Sequence, residues 1–450
     1  MRYRVAALLA LALVVTGCSP IDGKMVSYDS VANHVRIAAS NLEQANGVRI
    51  NGTVQDGRGE EIAVDVRLNG AGEGAGKIRR NGIAAQTLVV DSTTYVKAPA
   101  AWWAPDNRAD TYDDVWVAVS ATTIGFDPAA KLKPEALGKL VDDAFGSLQI
   151  EGMPPVTEVD KVQVRKVEAT AGTLWVTAEK PYQVVRTEGS LLGPRTAVNF
   201  VITPPGPTAQ IARDVALGLP ALRTGSYDAY TTLQFEGALR HTCDAQGCTV
   251  TGRVRNPSDE EPVTAVLDGR VTGNRTVLGR CRSGRAEVPA SAAADVSCRV
   301  TTPAWRKFYA SATAPGAPMS TTKYQVTASA SAIARAPLAT ECLRDGKGCA
   351  TNDLDDGDVM DTFDRSAQAW YERTPADSEL ADWRRMIEVT AAGPDRVPWA
   401  TDGQPTVAYL GTQGGRPFVA QFDRQDGKLV AAYGPDPAEA TALRQAITGP

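Results

Sequence analysis

Apolar residues at every second position from 62 to 68 constrain the fold of this chain more than any other feature. Ile62, Val64, Val66 and Leu68 alternate with charged or small residues such as Asp65. A strand with one apolar and one polar face is typical of an antiparallel sheet that covers a core on one side. The same reasoning predicts strands at 48–54, 76–80, 84–90, 93–98, 172–178, 182–188 and 197–203.

Two amphipathic helices are predicted among these strands. The first spans about residues 27–44 and repeats Val31, Val35 and Leu42 at helical spacing, with His34 off this stripe and expected in solvent. The second begins near residue 134 and has a broad apolar face. An antiparallel sheet with two such helices can enclose one core.

Residues 1–18 have the composition of a secretory signal. Two arginines precede an apolar run over residues 5–15, and small residues precede Cys18. The run is too short to cross a bilayer as a helix. Residues 15–18, VTGC, resemble a bacterial lipobox, which implies cleavage before Cys18, its acylation with palmitate-type chains, and a lipoprotein anchored on the extracytoplasmic face of the cell membrane. An ordinary signal peptide with an incidental cysteine is the alternative.

Six further cysteines follow, and an even number in an exported chain indicates disulfides. Sequential pairing needs the least chain closure and is therefore preferred. It joins Cys243 to Cys248, Cys281 to Cys298, and Cys342 to Cys349. The loops are short, so each bridge is expected to be a local staple. A zinc site is the alternative, but the chain has only two histidines and no Cys-x-x-Cys pair.

The proline-rich stretch 203–207 marks a domain boundary. It opens a predicted linker over 207–225, which includes a short helix around 209–217. Residues 226–336 read as strands and turns, which favours a β-sandwich. Its strands are predicted at 230–239, 248–255, 263–271, 277–282, 294–300 and 323–329. The stretch 250–256, followed by Cys281 and Cys298, resembles immunoglobulin-like modules of exported bacterial proteins.

The last part of the chain is predicted to be an acidic linker followed by an α+β unit. The linker, 337–358, would be closed by a disulfide, and its acidic run fails the calcium-loop pattern because Gly357 comes one place early and no Glu ends the loop. Residues 359–450 predict helices at 359–373 and after 377, strands at 406–410, 418–422 and 429–433, and a final helix. Asp436 and Glu439 have the spacing of a capping box for that last helix.

The N-terminal region, 19–206, resembles the LppX/LprG type of actinobacterial lipoprotein. Residues 47–55, 60–68 and 91–97, followed by Trp102 and Trp103, carry this resemblance over about 25–204. It implies a curved antiparallel half-barrel, similar to LolA-like carriers, with an apolar cavity for acyl chains. The expected groove is lined by Ile62, Val64, Val66, Leu137 and Leu140. A closed core without ligand is the alternative.

The C-terminal unit resembles small RNase-type toxins of the barnase, EndoU and colicin-nuclease class. Trp399 and the stretches 406–411, 416–422 and 427–433 carry the resemblance. Such enzymes commonly use a His and a cationic side chain. This region contains no His; Tyr409 stands where one is expected, and Arg416 is the candidate phosphate ligand. We therefore expect the fold without its catalysis.

Taken together, the sequence predicts a multidomain chain, mainly β with an α+β unit, and without enzymatic activity, metal or cofactor. The net charge of -5 argues against a nucleic-acid partner. The expected function is that of a membrane-anchored, exported lipoprotein. Its first domain would bind lipid or glycolipid, and its outer modules would contact an envelope protein. A tethered effector with a nuclease-like C-terminal module and a purely structural surface lipoprotein are the alternatives.

Overall fold

The computed structural model describes residues 30–56, 59–106, 111–148, 152–206, 208–223, 225–315, 323–337, 339, 354–401 and 403–448. The predicted leader with Cys18, and the predicted loop between Cys342 and Cys349, lie outside these residues. Within them, no helix combines the length and the apolar character needed to cross a membrane. The architecture is mainly β, with several sheets and an α+β C-terminal unit.

The N-terminal unit, residues 30–206, consists of an antiparallel sheet and helices packed on it. Its strands are β1 Gly47–Gln55, β2 Glu61–Asn69, β3 Gly74–Arg80, β4 Ile83–Val90, β5 Thr93–Ala98, β6 Val115–Val119, β7 Val156–Val159, β8 Val162–Ala169, β9 Gly172–Thr177, β10 Val184–Gly189 and β11 Ala197–Thr203. Its helices are α1 Val31–Glu43, α2 Ala100–Trp103, α3 Ala121–Ile124, α4 Pro128–Lys131 and α5 Pro134–Phe145.

Strand order in this unit is β6-β5-β4-β3-β2-β1-β11-β10-β9-β8-β7, so the last strand of the series, β11, closes on the first. Ile50 pairs with Val66 on one side and with Ile202 on the other, which places apolar residues side by side on one face. Strands β1–β6 and β8–β11 all contribute to one hydrophobic cluster with α1 and α5. A sheet of this width reaches one cluster only if it bends around the helices, which agrees with the predicted curved half-barrel.

Helices α1 and α5 fill the concave side of the sheet and cross at close range. A side chain at Gly138 of α5 would lie 2.6 Å from the carbonyl oxygen of Ala39 in α1, so glycine permits the contact. Helix α1 begins after Ser30, whose Oγ accepts the N–H of Asn33 at 3.2 Å. The expectation of a solvated His34 was wrong: its ring is buried and stacks on Tyr182 with centroids 3.9 Å apart.

The middle unit, residues 225–337, is a sandwich of two sheets. Its strands are β12 Tyr227–Asp228, β13 Gln234–Phe235, β14 Arg240–Asp244, β15 Gly247–Arg255, β16 Val263–Gly273, β17 Thr276–Arg282, β18 Ala286–Val288, β19 Ala293–Val300 and β20 Tyr324–Ile333, with helix α7 Pro303–Ala312. One sheet contains β13, β14, β15 and β19. The other contains β16, β17, β18 and β20, and the core between them includes Val250, Leu267 and Trp305.

The second sheet of the sandwich is continuous with the sheet of the N-terminal unit. The two-residue strand β12 pairs in parallel with β6, where Tyr227 faces Val117, and antiparallel with β20, where Tyr227 faces Ile333. The result is a 16-stranded sheet within the described residues. The middle unit is therefore joined to its neighbour by backbone hydrogen bonds.

The C-terminal unit, residues 354–448, has one antiparallel sheet with helices on both faces. Its elements are α8 Asp356–Tyr371, α9 Leu380–Ala391, β21 Arg396–Thr401, β22 Gln404–Gln413, β23 Arg416–Asp423, β24 Leu429–Tyr433 and α10 Pro437–Thr448. Helix α8 begins in the acidic run, where Asp355 Oδ1 accepts the N–H of Gly357 at 2.6 Å. Strand β21 was not expected from the sequence. Helices α8 and α9 cover one face of the sheet, and α10 lies on the other.

The segment predicted as a linker is a helix, α6 Thr208–Arg223, that packs on two units at once. Val215, Leu219 and Leu222 contact Leu88 and other residues on the outer face of the N-terminal sheet. Ala212 of the same helix lies in the cluster formed by the C-terminal sheet and α10. The short helix expected around 209–217 is therefore longer in the structure, and apolar positions at helical spacing bury one of its faces.

A buried ionic cluster also fastens the C-terminal unit to the N-terminal one. Arg424, 1% exposed, donates to Glu73 Oε1 at 2.6 Å and to Asp91 Oδ1 at 2.5 Å. Its Nη2 also donates to the carbonyl oxygen of Thr406 at 3.5 Å. Burial opposes the charge of Arg424, but the two carboxylates outweigh it and raise the pKa of the guanidinium above its ordinary value.

Candidate functional site

The five residues predicted to line a groove belong to the main core or pack against it. Ile62, Val64, Val66 and Leu137 are at most 2% exposed and belong to the main core, and Leu140 packs against it. Residues of α5 and of the sheet belong to the same buried cluster. None of these five residues lines the apolar cavity that the structure shows among its described residues.

An apolar cavity of about 430 Å³ lies elsewhere, between the end of α1 and strands β8–β11. Its size falls within the ~300–1,000 Å³ typical of small-ligand pockets. The apolar part of its wall comes from α1, the start of β1, and strands β8, β10 and β11, followed by the proline pair after β11. These residues are Ala38, Leu42, Ala45, Val48, Val162, Val184, Val185, Ile202, Pro204 and Pro205.

None of the described residues that line this cavity carries a charge. Two of its polar side chains are already used to hold the surrounding chain. Asn41 donates to the carbonyl oxygen of Tyr182 at 2.8 Å, and Thr177 Oγ1 donates to the carbonyl oxygen of Pro181 at 2.9 Å. The cavity therefore offers apolar surface and few free hydrogen-bonding groups, which suits a hydrocarbon chain.

Exposure differs between the base and the mouth of this cavity. Val48 is 1% exposed at the base, whereas Val162 is 37% exposed and Pro204 is also exposed. Asn46 is also exposed and lies in the turn between α1 and β1. The opening is thus placed beside the β7–β8 hairpin and the end of α1.

The sequence analysis did not predict this cavity, because the residues that line it follow the same apolar pattern as residues of a closed core. Val48, Val184 and Ile202 belong to strands predicted as ordinary half-buried strands. The only signal available was indirect: the small residues Ala38, in the helix, and Ala45, just after it, leave space that larger side chains would fill. The residues that do line a cavity therefore differ from those predicted.

The cysteines of the middle unit are joined as the sequential pairing predicts. Cys243 and Cys248 face each other across the hairpin of β14 and β15. The bond between Cys281 in β17 and Cys298 in β19 connects the two sheets of the sandwich. The first bridge is a local staple, while the second links sheets that share no strand pairing.

Tyr409 and Arg416, the candidate nuclease residues, are not gathered in an open cleft. Tyr409 is 4% exposed and packs edge-on against Phe422 inside the core under α8 and α9. Arg416 lies over the Trp370 ring, 4.2 Å from its centroid, and pairs with Glu372 at 3.1 Å. Both side chains thus have structural contacts, and Tyr409 has no access to a substrate.

Metal-ligating side chains do not cluster in the part of the chain that the structure describes: no three His, Cys, Asp or Glu residues come close enough to hold an ion. Buried charged groups are found in the Arg424 cluster between units, and also at Arg80, which pairs with Glu60.

Comparisons with known proteins do not identify a family for this chain. No family model matches the chain, and no curated protein matches it. Two crystal structures of PNGF-II, in space groups C2 and P21, align with 65% of this chain and 68% of theirs at 8% identity, with TM-scores of 0.17 and 0.14. Scores this low carry no inference about fold or function.

Proposed function

We propose that this chain is an exported lipoprotein, held at the cell membrane through acylated Cys18, whose N-terminal unit binds an acyl chain. The lipobox-like residues 15–18 support the anchor. The two disulfides support an oxidising compartment outside the cytoplasm. The single observation that carries acyl-chain binding is the uncharged cavity of about 430 Å³ beside α1.

Binding would proceed by transfer of hydrocarbon from water to this cavity. Each buried methylene contributes about 0.8 kcal/mol. The polar end of the lipid would remain at the mouth, near Val162 and Asn46, because the base offers no charged partner. Partition needs no catalytic group, so the proposed activity is binding, with the middle and C-terminal units presenting surfaces to envelope partners.

Mass spectrometry of the full-length protein from membranes tests the anchor. We expect the mature chain to begin at Cys18 with a diacylglycerol mass on its thiol. A Cys18→Ala variant is expected in the soluble fraction, because it lacks the acyl chains that hold the protein in the bilayer. A Cys18→Ala variant that remained in the membrane would contradict the anchor.

Blocking the mouth tests the cavity separately. Val162→Trp places a large ring at the opening and is expected to weaken binding of dansyl-labelled undecanoic acid by about tenfold or more. Val156→Trp is the matched control: Val156 is 44% exposed in the same hairpin and pairs with Arg165, so it lies on the opposite face from Val162. Equal binding by both variants would refute the cavity as the lipid site.

A further inference from the structure

A second cavity, of about 250 Å³, lies between the N-terminal and C-terminal units. Asn46 and Asn69 line it from the N-terminal side, and Trp399, Tyr433 and Glu439 line it from the C-terminal side. Unlike the acyl-chain cavity, most of its wall carries hydrogen-bonding groups. The acyl-chain proposal assigns no role to these groups.

Four polar side chains of this cavity form one directed chain of hydrogen bonds. Thr401 Oγ1 donates to Gln421 Oε1, and Gln421 Nε2 donates to the Tyr433 hydroxyl at 2.8 Å. That hydroxyl donates in turn to Glu439 Oε1 at 2.7 Å. The chain of hydrogen bonds ends on the carboxylate of Glu439.

This network is placed in an otherwise apolar face of the C-terminal sheet. Gln421 is 1% exposed and lies on the face where Val419 and Leu410 pack against α6 and α10. Burying an amide is costly unless it is fully hydrogen-bonded, and packing alone would be served by an apolar residue. The presence of a polar network at this position therefore points to a role other than holding the two units together.

The chemistry of the wall narrows the class of ligand. No Lys or Arg is found among the described residues that line the cavity, so a phosphate or carboxylate would lack a counter-charge. Burial, with the nearby charge of Asp436, raises the pKa of Glu439 despite the bond from Tyr433. The negative charge of Glu439 has no cation beside it in this cavity, and the other lining groups include amides and the Trp399 indole. Such a wall suits a neutral ligand whose groups donate and accept hydrogen bonds.

We propose that this cavity binds a single ring of a sugar. Hydroxyl groups of the ring would donate to Glu439 and exchange hydrogen bonds with the carboxamides of Asn46 and Asn69, while its C–H face packs beside Trp399. A volume of about 250 Å³, equal to about eight molecules of liquid water, matches one ring and not a longer glycan. The site extends beyond acyl-chain binding and does not depend on it.

Asn46 lines both cavities, so the sugar site and the acyl-chain site adjoin at the turn between α1 and β1. The same ring chemistry could therefore arrive as a free glycan end or as the head of a glycolipid. The two sources differ in whether a hydrocarbon tail adds affinity.

Saturation-transfer NMR and calorimetry on the full chain, with methyl glycosides of glucose, galactose and mannose, test the proposal. We expect at least one glycoside to bind, and Glu439→Gln and Asn46→Ala each to weaken it by about tenfold. Asn46 is exposed, so its truncation leaves the core intact. Glu158→Gln, a change of the same chemistry at an exposed position in β7, is the control expected to bind as wild type.

An octyl glycoside with the best head group, kept below its micelle concentration, separates the two sources. Tighter binding of the octyl than of the methyl glycoside, with that gain lost in Val162→Trp, assigns the ring to a glycolipid. Equal affinity assigns it to a free glycan, and the sugar site stands even if acyl-chain binding fails. Absence of binding by every glycoside, or full binding by Glu439→Gln and Asn46→Ala, overturns the proposal.

Discussion

The N-terminal unit is joined to its two neighbours in different ways. At the middle unit, β12 continues the sheet, and the contact is a ladder of backbone hydrogen bonds. At the C-terminal unit, no strand pairing crosses the boundary within the described residues; helix α6 and the Arg424 cluster make the contact with side chains. The cavity of about 250 Å³ lies at this second boundary, and the cavity of about 430 Å³ lies at the end of α1. At both places the packing depends on side chains.

The difference teaches where a binding site can arise. A backbone ladder has a fixed strand spacing of about 4.8 Å and leaves no gap for a ligand. A boundary made from side chains closes only where their shapes match, so it can enclose a cavity such as the one beside Glu439. We therefore expect the two boundaries to respond differently to mutation and to pH.

Loss of the buried cation should have the largest effect. Arg424→Ala leaves Glu73, 4% exposed at its side chain, without its partner, and removing one member of a buried pair costs about 3–5 kcal/mol. Denaturant unfolding followed by tryptophan fluorescence measures the loss. Arg444→Ala, an exposed arginine in α10, is the control. A loss below about 1 kcal/mol, typical of surface ion pairs, would show that the cluster is not a structural contact.

Truncation in α6 should have the next largest effect. Leu219 is 2% exposed against the N-terminal sheet, so Leu219→Ala is expected to destabilise the protein by about 2–5 kcal/mol. Leu217 lies two positions away in the same helix and is 50% exposed. Leu217→Ala should therefore unfold at nearly the wild-type denaturant concentration, and equal losses for the two variants would argue against the side-chain boundary.

Disruption of the backbone boundary is expected to cost less. The N–H of Ala229, just after β12, donates to the carbonyl oxygen of Ala118 at 2.9 Å. Ala229→Pro removes this donor and leaves the carbonyl unpaired, at a cost of about 1–3 kcal/mol. Ala229→Ser keeps the N–H and is the control in thermal unfolding. Indistinguishable melting temperatures would mean that the continuous sheet adds nothing to stability.

The smallest effect concerns pH. Burial raises the pKa of Glu439, so the stability that its protonated carboxyl contributes is fully present below the ordinary glutamate pKa and is lost as pH rises through the raised value. Glu439→Gln stays neutral, so its melting temperature relative to wild type should increase above the ordinary glutamate pKa of about 4.3. A temperature difference that stays constant with pH would place the carboxyl in solvent.

The sequence predicted elements better than their contacts. The alternation at Ile62 to Leu68 identified β2, and the helical spacing of Val31, Val35 and Leu42 identified α1, because each pattern is local. For the predicted groove, the sequence identified the two apolar faces of β2 and α5 but not the distance between them, because that distance depends on three-dimensional packing.

The prolines around α6 and the carboxylate of Glu439 show the same limit. Prolines at 204, 205 and 207 suggested a linker, and Pro220 within the following helix is a residue that usually breaks helices. Glu439 has capping-box spacing with Asp436, and its N–H does bond Asp436 Oδ1 at 2.8 Å. Its carboxylate, however, accepts from Tyr433, a contact that no local pattern predicts.

The shared helix has a practical consequence for anyone who wishes to excise the C-terminal unit. One face of its sheet is covered jointly by its own α10 and by Ala212 of α6, which precedes the middle unit in the chain. A fragment starting at residue 354 would leave Val397 and Trp399 partly uncovered and would lose the acidic partners of Arg424. Such a fragment is expected to be poorly soluble. Adding a peptide with the sequence of α6 to the fragment should restore a compact state.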